Sequence, residues 1–272
     1  TVGATSALIT VVGAGLSAPL ARRDESASES LAVAENSESS AALQNLPNAD
    51  DPVQPAPGTR SELTNIADHY RIDISLTPPT VAEEGYLLPF VVAGADGALT
   101  TLKQFTLDEI RSNYEPVHAY ITMSCISNPV GGDLISTTRW TGVPMMRILA
   151  DIERPADATH LKITGADGFD ETIALDMIDA DERILLTYAW DDQPLPVRNG
   201  FPLRIHIPDL YGMKQPKWIT QVEFISGDQD GYWVRRGWDK VAQARATSVI
   251  DTVATDAIIT TDDGQQLIPI GG

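Results

Sequence analysis

Residues 115–144 read Glu115-Pro-Val-His-Ala-Tyr-Ile-Thr-Met-Ser-Cys-Ile-Ser-Asn-Pro-Val-Gly-Gly-Asp-Leu-Ile-Ser-Thr-Thr-Arg-Trp-Thr-Gly-Val-Pro144. Val117, Ala119, Ile121 and Met123 alternate with His118, Tyr120, Thr122 and Ser124, a period of two that predicts a half-buried β-strand. Cys125, the single cysteine of the chain, falls in the apolar parity where that strand ends. A polar loop with Gly131 and Gly132 follows, then Thr138, Arg139 and Trp140. A lone thiol at a strand end reads in two ways. It is a small buried hydrophobe, as most free cysteines are, or it is a reactive or ligating group whose surroundings lie elsewhere in the chain.

Working outward, the 272 residues suffice for one or two domains with a sizeable core. The formal net charge of −19 argues against a nucleic-acid partner, because phosphate binding needs clustered Lys and Arg. One cysteine excludes an internal disulfide and Cys-rich zinc or iron–sulfur sites. His69, His118, His160 and His206 show no metal-ligand spacing and read as surface or strand histidines. Residues 1–21 carry no charge and are expected to be a secretory signal or a membrane anchor. With Arg22 and Arg23 they make a first segment, 1–23. Residues 24–60 are acidic and rich in Ser, Ala and Pro, a composition that predicts a disordered linker.

A folded unit is expected over 61–248. Its elements are a helix over Ser61–His69, a strand over Tyr70–Ile74, a strand over Leu87–Ala93 and a turn at Gly94–Gly97. Thr106-Leu-Asp-Glu109 is a capping-box pattern and starts a helix to about Ser112. Pro144 opens a helix to about Ile152. Strands follow over His160–Thr164, Leu185–Trp190, Leu203–Ile207 and Trp218–Ile225, with turns at Gly165–Gly168 and Asp191–Asp192. The absence of a βαβ rhythm argues for an α+β fold. Residues 249–272 read as a strand, a turn and the start of another strand, the first part of a further, truncated β domain.

Three other places carry chemistry. Asn199-Gly-Phe-Pro-Leu-Arg204 and Tyr211-Gly-Met-Lys-Gln-Pro-Lys217 set three cations and several loop amides close in sequence, able to hold an anion or to pair with local acids. Tyr188 is a hydrogen-bond donor or general acid, or a core tyrosine. Gly231-Tyr-Trp-Val-Arg-Arg-Gly-Trp238 is an aromatic and arginine cluster of the kind found at pocket rims, at interfaces or in plain packing.

Taken in order, Cys125-x-x-Asn128, Gly131-Gly132-Asp133, Arg139-Trp140-Thr141-Gly142-Val143-Pro144, Asn199-Gly-x-Pro-x-Arg204 and Tyr211-Gly-x-Lys-x-x-Lys217-Trp218 resemble the molybdenum-binding domain of the sulfite oxidase family. The resemblance covers roughly residues 61–250. It implies a mixed α+β fold followed by a β-sandwich dimerisation domain, of which 249–272 would be the first strands. It implies one molybdopterin with molybdenum, Cys125 as metal ligand, and Tyr188 facing the open side of the metal. Tyr70, Arg71, Asn199, Arg204, Gln215, Pro216 and Lys217 would hold the pterin and its phosphate, with Thr164 beside it. Pro129 and Val130 stand where eukaryotic members place sulfite-binding arginines, and Asn199 replaces their histidine, closer to the bacterial sulfoxide-reductase branch. The implied activity is oxygen-atom transfer to or from a small, sulfur-containing substrate. The implied electron partner is a cytochrome or membrane haem or quinone protein. The implied location is the extracytoplasmic face of the membrane, periplasmic in a bacterium, where a homodimer through the further domain is possible. The alternative is a tethered extracellular binding domain that keeps the fold without the cofactor.

Overall fold

The computed structural model describes residues 56–272, so the predicted segment 1–23 and most of the predicted linker 24–60 lie outside the described residues. Two five-stranded sheets carry the fold. The first has the order β2-β1-β10-β5-β6, built from β1 (Leu87–Ala93), β2 (Leu99–Thr106), β5 (His160–Gly165), β6 (Asp170–Ala174) and β10 (Ile219–Ile225). All its neighbours are antiparallel except β1 and β10, which run parallel with Phe90 opposite Val222. The second sheet has β3 (Val117–Ser124), β4 (Ile135–Pro144) and β7 (Leu185–Trp190) in sequence. The far edge of β7 pairs with both β8 (Gln193–Pro194) and β9 (Arg204–His206).

The two sheets share one core. Leu88, Phe90, Leu161, Ile163, Val222 and Phe224 from the first meet Val143, Leu186 and Ile205 from the second. Each such side chain contributes roughly 1.5–3 kcal/mol by leaving water. Three short helices close its margins: α1 (Leu107–Ser112), α2 (Met145–Leu149) and α3 (Leu175–Ala180), which bury Ile110, Ile148 and Ile178. The other face of the second sheet carries a smaller cluster of Ile121, Met123, Trp140, Leu185, Trp190 and Leu195. That face supports the candidate site.

The structure bears out the α+β class and most predicted strands. The capping box is complete: Thr106 Oγ1 accepts from the Glu109 N–H at 3.1 Å, and Glu109 Oε2 accepts from the Thr106 N–H at 2.7 Å. In the Asp191–Asp192 turn both residues have positive φ, 44° and 61°, as a two-residue type I′ hairpin requires.

Several expectations are corrected. Ser61–His69 forms only a 3-10 turn at Ile66–Asp68, where Arg198 donates to the Ile66 and Ala67 carbonyls. So short a segment with so little apolar face does not sustain a helix. Tyr70–Ile74 alternates like a strand but pairs with no strand among the described residues; it is anchored by the Tyr70 N–H to Ser136 Oγ at 3.0 Å. The helix after Pro144 ends at Leu149 rather than Ile152, with Pro144 at its N-cap. Strands β2, β4, β6 and β8 and helix α3 were not expected. Asp170, Glu171 and Thr172 hide β6 from a hydrophobicity reading, yet all three are buried. His69 is neither on the surface nor in a strand but buried, while His206 is a strand histidine, as expected, on β9, and is buried too.

Residues 56–60, placed in the linker by composition, are held against the C-terminal segment. Arg60 Nε lies 2.6 Å from Asp251 Oδ1, and Gly58 lies against the Thr252 side chain. That segment forms two small ladders, β11 (Thr252–Val253) with β14 (Ile270–Gly271), and β12 (Ile259–Thr260) with β13 (Gln266–Leu267).

Candidate active site

Cys125 follows the last residue of β3 and opens a tight loop. The Asn128 N–H donates to the Cys125 carbonyl at 3.0 Å, and the Cys125 N–H donates to the Leu134 carbonyl at 2.9 Å. Asn128 Oδ1 accepts from the Leu134 N–H at 3.0 Å, bracing the loop across its width. Gly132 is required here, because a Cβ on it would stand 2.6 Å from Asn128 Oδ1. The side chain of Asn128 is therefore spent on the loop itself. Cys125 is buried, and its Sγ lies 3.1 Å from Ser127 Oγ.

The thiol sits on the wall of a cavity of about 130 Å3. Tyr70, Asn199, Arg204, Gln215 and Lys217, all proposed from sequence, line the same cavity. The structure thus brings together residues separated by up to 147 positions, from Tyr70 to Lys217. Sequence reasoning missed Asp73, Ser127, Asp167, Phe169 and Met213, which also line it. Trp233 and Trp238 complete the mouth, their rings edge to face at 6.0 Å.

Arg204 is placed by β9. The register of β9 against β7 sets Arg204 opposite Thr187 on the outer face of the second sheet. Its guanidinium lies 4.6 Å from the centre of the Trp140 ring and 5.1 Å from that of Trp190, and donates to the Asn199 carbonyl at 2.9 Å. Burial lowers its pKa to about 10. Lys217 is equally enclosed. Burial pushes it below the ordinary lysine value, while Asp73, to which its Nζ donates, pushes back. Arg71 lies outside the cavity wall and braces Asp73, with Nε 3.0 Å from Oδ2. Tyr70 is raised above the usual phenol value by burial and then by the neighbouring Cys125. Asp167 is also raised by burial, opposed by the Phe169 N–H that Oδ1 accepts at 3.0 Å.

Four proposed residues stand apart. Gln215 lines the wall, but its amide is committed: Oε1 lies 3.2 Å from His206 Nδ1, and Nε2 donates to the Leu210 carbonyl at 3.0 Å. Pro216 turns its carbonyl to the Ile205 N–H at 3.1 Å and does not line the cavity. Thr164, the last residue but one of β5, lies outside it; the same hairpin sends Asp167 in instead. Tyr188 is not brought to the cavity. It is the extra residue where β7 skips a place against β4, between the Thr141–Ala189 and Gly142–Thr187 pairs. The bulge turns it to the large core, where Arg111 lies 5.6 Å from its ring. Pro129 and Val130 also lie outside the cavity wall.

The donor set fits a metal–pterin cofactor. Cys125 offers a soft sulfur ligand. Arg204 and Lys217 offer buried cations for a phosphate. Asn199 Oδ1 and Arg204 Nε are buried without a hydrogen-bond partner among the described residues, a costly state that a polar ligand would relieve. At Gly212 the backbone passes so close that a Cβ would stand 2.6 Å from Tyr70 Oη.

A family model described as "Oxidoreductase molybdopterin binding domain" matches residues 88–233. Mouse mitochondrial sulfite oxidase is 26% identical over 272 aligned residues, covering 80% of this chain and 48% of that protein. A putative protein-methionine-sulfoxide reductase subunit YedZ1 from Azospira oryzae is 32% identical over 102 residues, 37% of this chain and 38% of that protein. The chain thus spans about half or less of these relatives. Among solved structures, the sulfane dehydrogenase SoxCD from Paracoccus pantotrophus is similar in fold, with a TM-score of 0.54 and 13% identity over 80% of this chain and 55% of that one.

Proposed function

The chain belongs to the oxidoreductase molybdopterin-binding domain family, that of the sulfite oxidases, and from this premise we propose that it is a molybdenum-dependent oxidoreductase that moves an oxygen atom to or from a small sulfur-containing substrate. The observation that carries this reading is Cys125 on one cavity wall with Arg204 and Lys217. Cys125 would ligate molybdenum, and Arg204, Lys217 and the Asn199 side chain would hold the pterin and its phosphate. Tyr70 would pack beside the thiolate. When bound, molybdenum supplies the two-electron change on which oxygen transfer runs. The protein's share is to orient and to exclude water: Trp233, Trp238, Phe169 and Met213 wall the cavity with apolar surface.

With Pro129 and Val130 outside the wall, no arginine besides Arg204 lines the cavity among the described residues, which favours an uncharged sulfoxide or thioether over sulfite. A separate haem or quinone protein is proposed as electron partner, and the extracytoplasmic side as location. The test is metal and pterin analysis of protein made in a molybdopterin-competent host, beside Cys125→Ala. About one molybdenum per chain is expected in the wild type and far less in the variant. A wild type free of molybdenum supports the cofactor-less binding domain instead. Turnover of sulfite beside methyl sulfoxides then decides the substrate.

A further inference from the structure

We propose that Ser127 is a positioning residue for Cys125: its hydroxyl donates a hydrogen bond to the thiolate sulfur and draws off part of the electron density that the sulfur gives the metal. This rests on the molybdenum reading of the same cavity. Residues 125–128 form one turn, closed by the Asn128 N–H on the Cys125 carbonyl, and Ser127 is its third residue. The turn folds Ser127 Oγ back to 3.1 Å from Cys125 Sγ. Ser127 makes no other side-chain hydrogen bond among the described residues. Both residues line the cavity.

The direction of the bond follows from the chemistry. A sulfur bound to a metal has lost its proton and can only accept; the serine hydroxyl is the group with hydrogen to give. A donor to a thiolate is charge-assisted, hence stronger than a bond between neutral groups. Groups that donate to a ligating sulfur tune the metal, because they compete for the electron pair that the sulfur shares with it. Less donation leaves the metal more electron-poor and easier to reduce. Ser127 is exposed, so water also reaches the hydroxyl. The braced loop, with Asn128 Oδ1 on the Leu134 N–H and Gly132 closed against Asn128, keeps Oγ on the sulfur in spite of that competition.

The test uses wild-type protein, Ser127→Ala and Ser127→Thr, each made with cofactor and assayed for molybdenum. All three are expected to load equally, since the turn's backbone bonds do not involve the hydroxyl. Redox titration followed by electron paramagnetic resonance is expected to give a lower midpoint potential in Ser127→Ala, with the sulfur-to-metal absorption band shifted. Ser127→Thr, which keeps the hydroxyl, is expected to restore both. Equal potentials and spectra in fully loaded wild type and Ser127→Ala overturn this proposal alone. A potential that falls equally in Ser127→Thr also overturns it, because shape and not the hydroxyl would then be responsible. Absence of molybdenum from the wild type overturns the parent reading and this one together.

Discussion

At the scale of single residues, the site is a set of polar groups held in unfavourable surroundings. Burial lowers His69 to about 3 and His206 to about 4, from an ordinary 6.5. Both therefore stay neutral in the folded chain at pH values where an unfolded chain binds protons. Each removes stability as pH falls, from about 6.5 down to its folded value, by about 1.4 kcal/mol per pH unit. His69 stacks on Trp190 with ring centres 4.2 Å apart, and its Nε2 is buried without a hydrogen-bond partner among the described residues. His69→Phe keeps the stack and removes the titration. Urea midpoints measured from pH 6 to pH 4 are expected to fall less steeply in this variant than in the wild type, by about that slope. An identical slope would show that His69 takes up its proton in place. Nothing in the sequence around His69 marks it as buried. Its burial comes from Trp190, and Arg204 and Lys217 add to its low pKa, all more than a hundred positions away. Cys125, Asn199, Arg204 and Lys217 were legible because a resemblance ordered them. Asp73 and Asp167 were not, because acids are too numerous in this chain for any one to stand out.

At the scale of elements, what was legible was local. The Thr106–Glu109 box is written in four residues and forms as written, so Thr106→Ala is expected to cost about 1 kcal/mol, read from chemical denaturation. Strand β3 is legible for the same reason: its alternation survives, with Ile121 and Met123 buried and His118 and Thr122 exposed. Elements fixed by distant partners were not. Tyr70–Ile74 has the alternation of a strand and joins no sheet edge among the described residues. Helix α3 exists because it packs on the shared core through Leu175 and Ile178. The bulge at Tyr188 is a matter of register between two strands, and no single-strand pattern announces it. It decides the site all the same, since it sets Thr187 and Trp190 toward Arg204 and sends Tyr188 the other way. Gly142 sits opposite that irregularity, where a Cβ would stand 2.6 Å from the Leu186 carbonyl oxygen and 2.8 Å from Thr187 Cα. Both neighbours are backbone and cannot swing aside. Gly142→Ala is expected to destabilise by about 1–3 kcal/mol, while Gly97→Ala meets no atom and is limited to the cost of its turn conformation. Equal denaturation midpoints for the two would contradict the register described.

At the scale of the whole molecule, the cavity draws its walls from Tyr70 to Trp238. A ligand that bridges those walls binds the folded chain and not the unfolded one. Loading at a hundredfold excess over the dissociation constant contributes about 2.7 kcal/mol, which for a domain of this size is on the order of 5–10 °C in Tm. Differential scanning of loaded and cofactor-free protein measures it, and no shift would mean that the ligand binds the unfolded chain as well as the folded one. The parallel pairing of β1 with β10 has a further consequence, in the order of synthesis. The first sheet is split down its middle until its last strand, β10, exists: β1 and β2 can pair early, as can β5 and β6, but nothing joins the two hairpins before Ile219–Ile225 is made. The aromatic mouth at Trp233 and Trp238 comes later still. A growing chain on the ribosome therefore holds Cys125 without the pocket around it until the residues to Trp238 are made. The pocket becomes available to any cofactor, and shut to other reagents, only when the stretch to Trp238 has emerged.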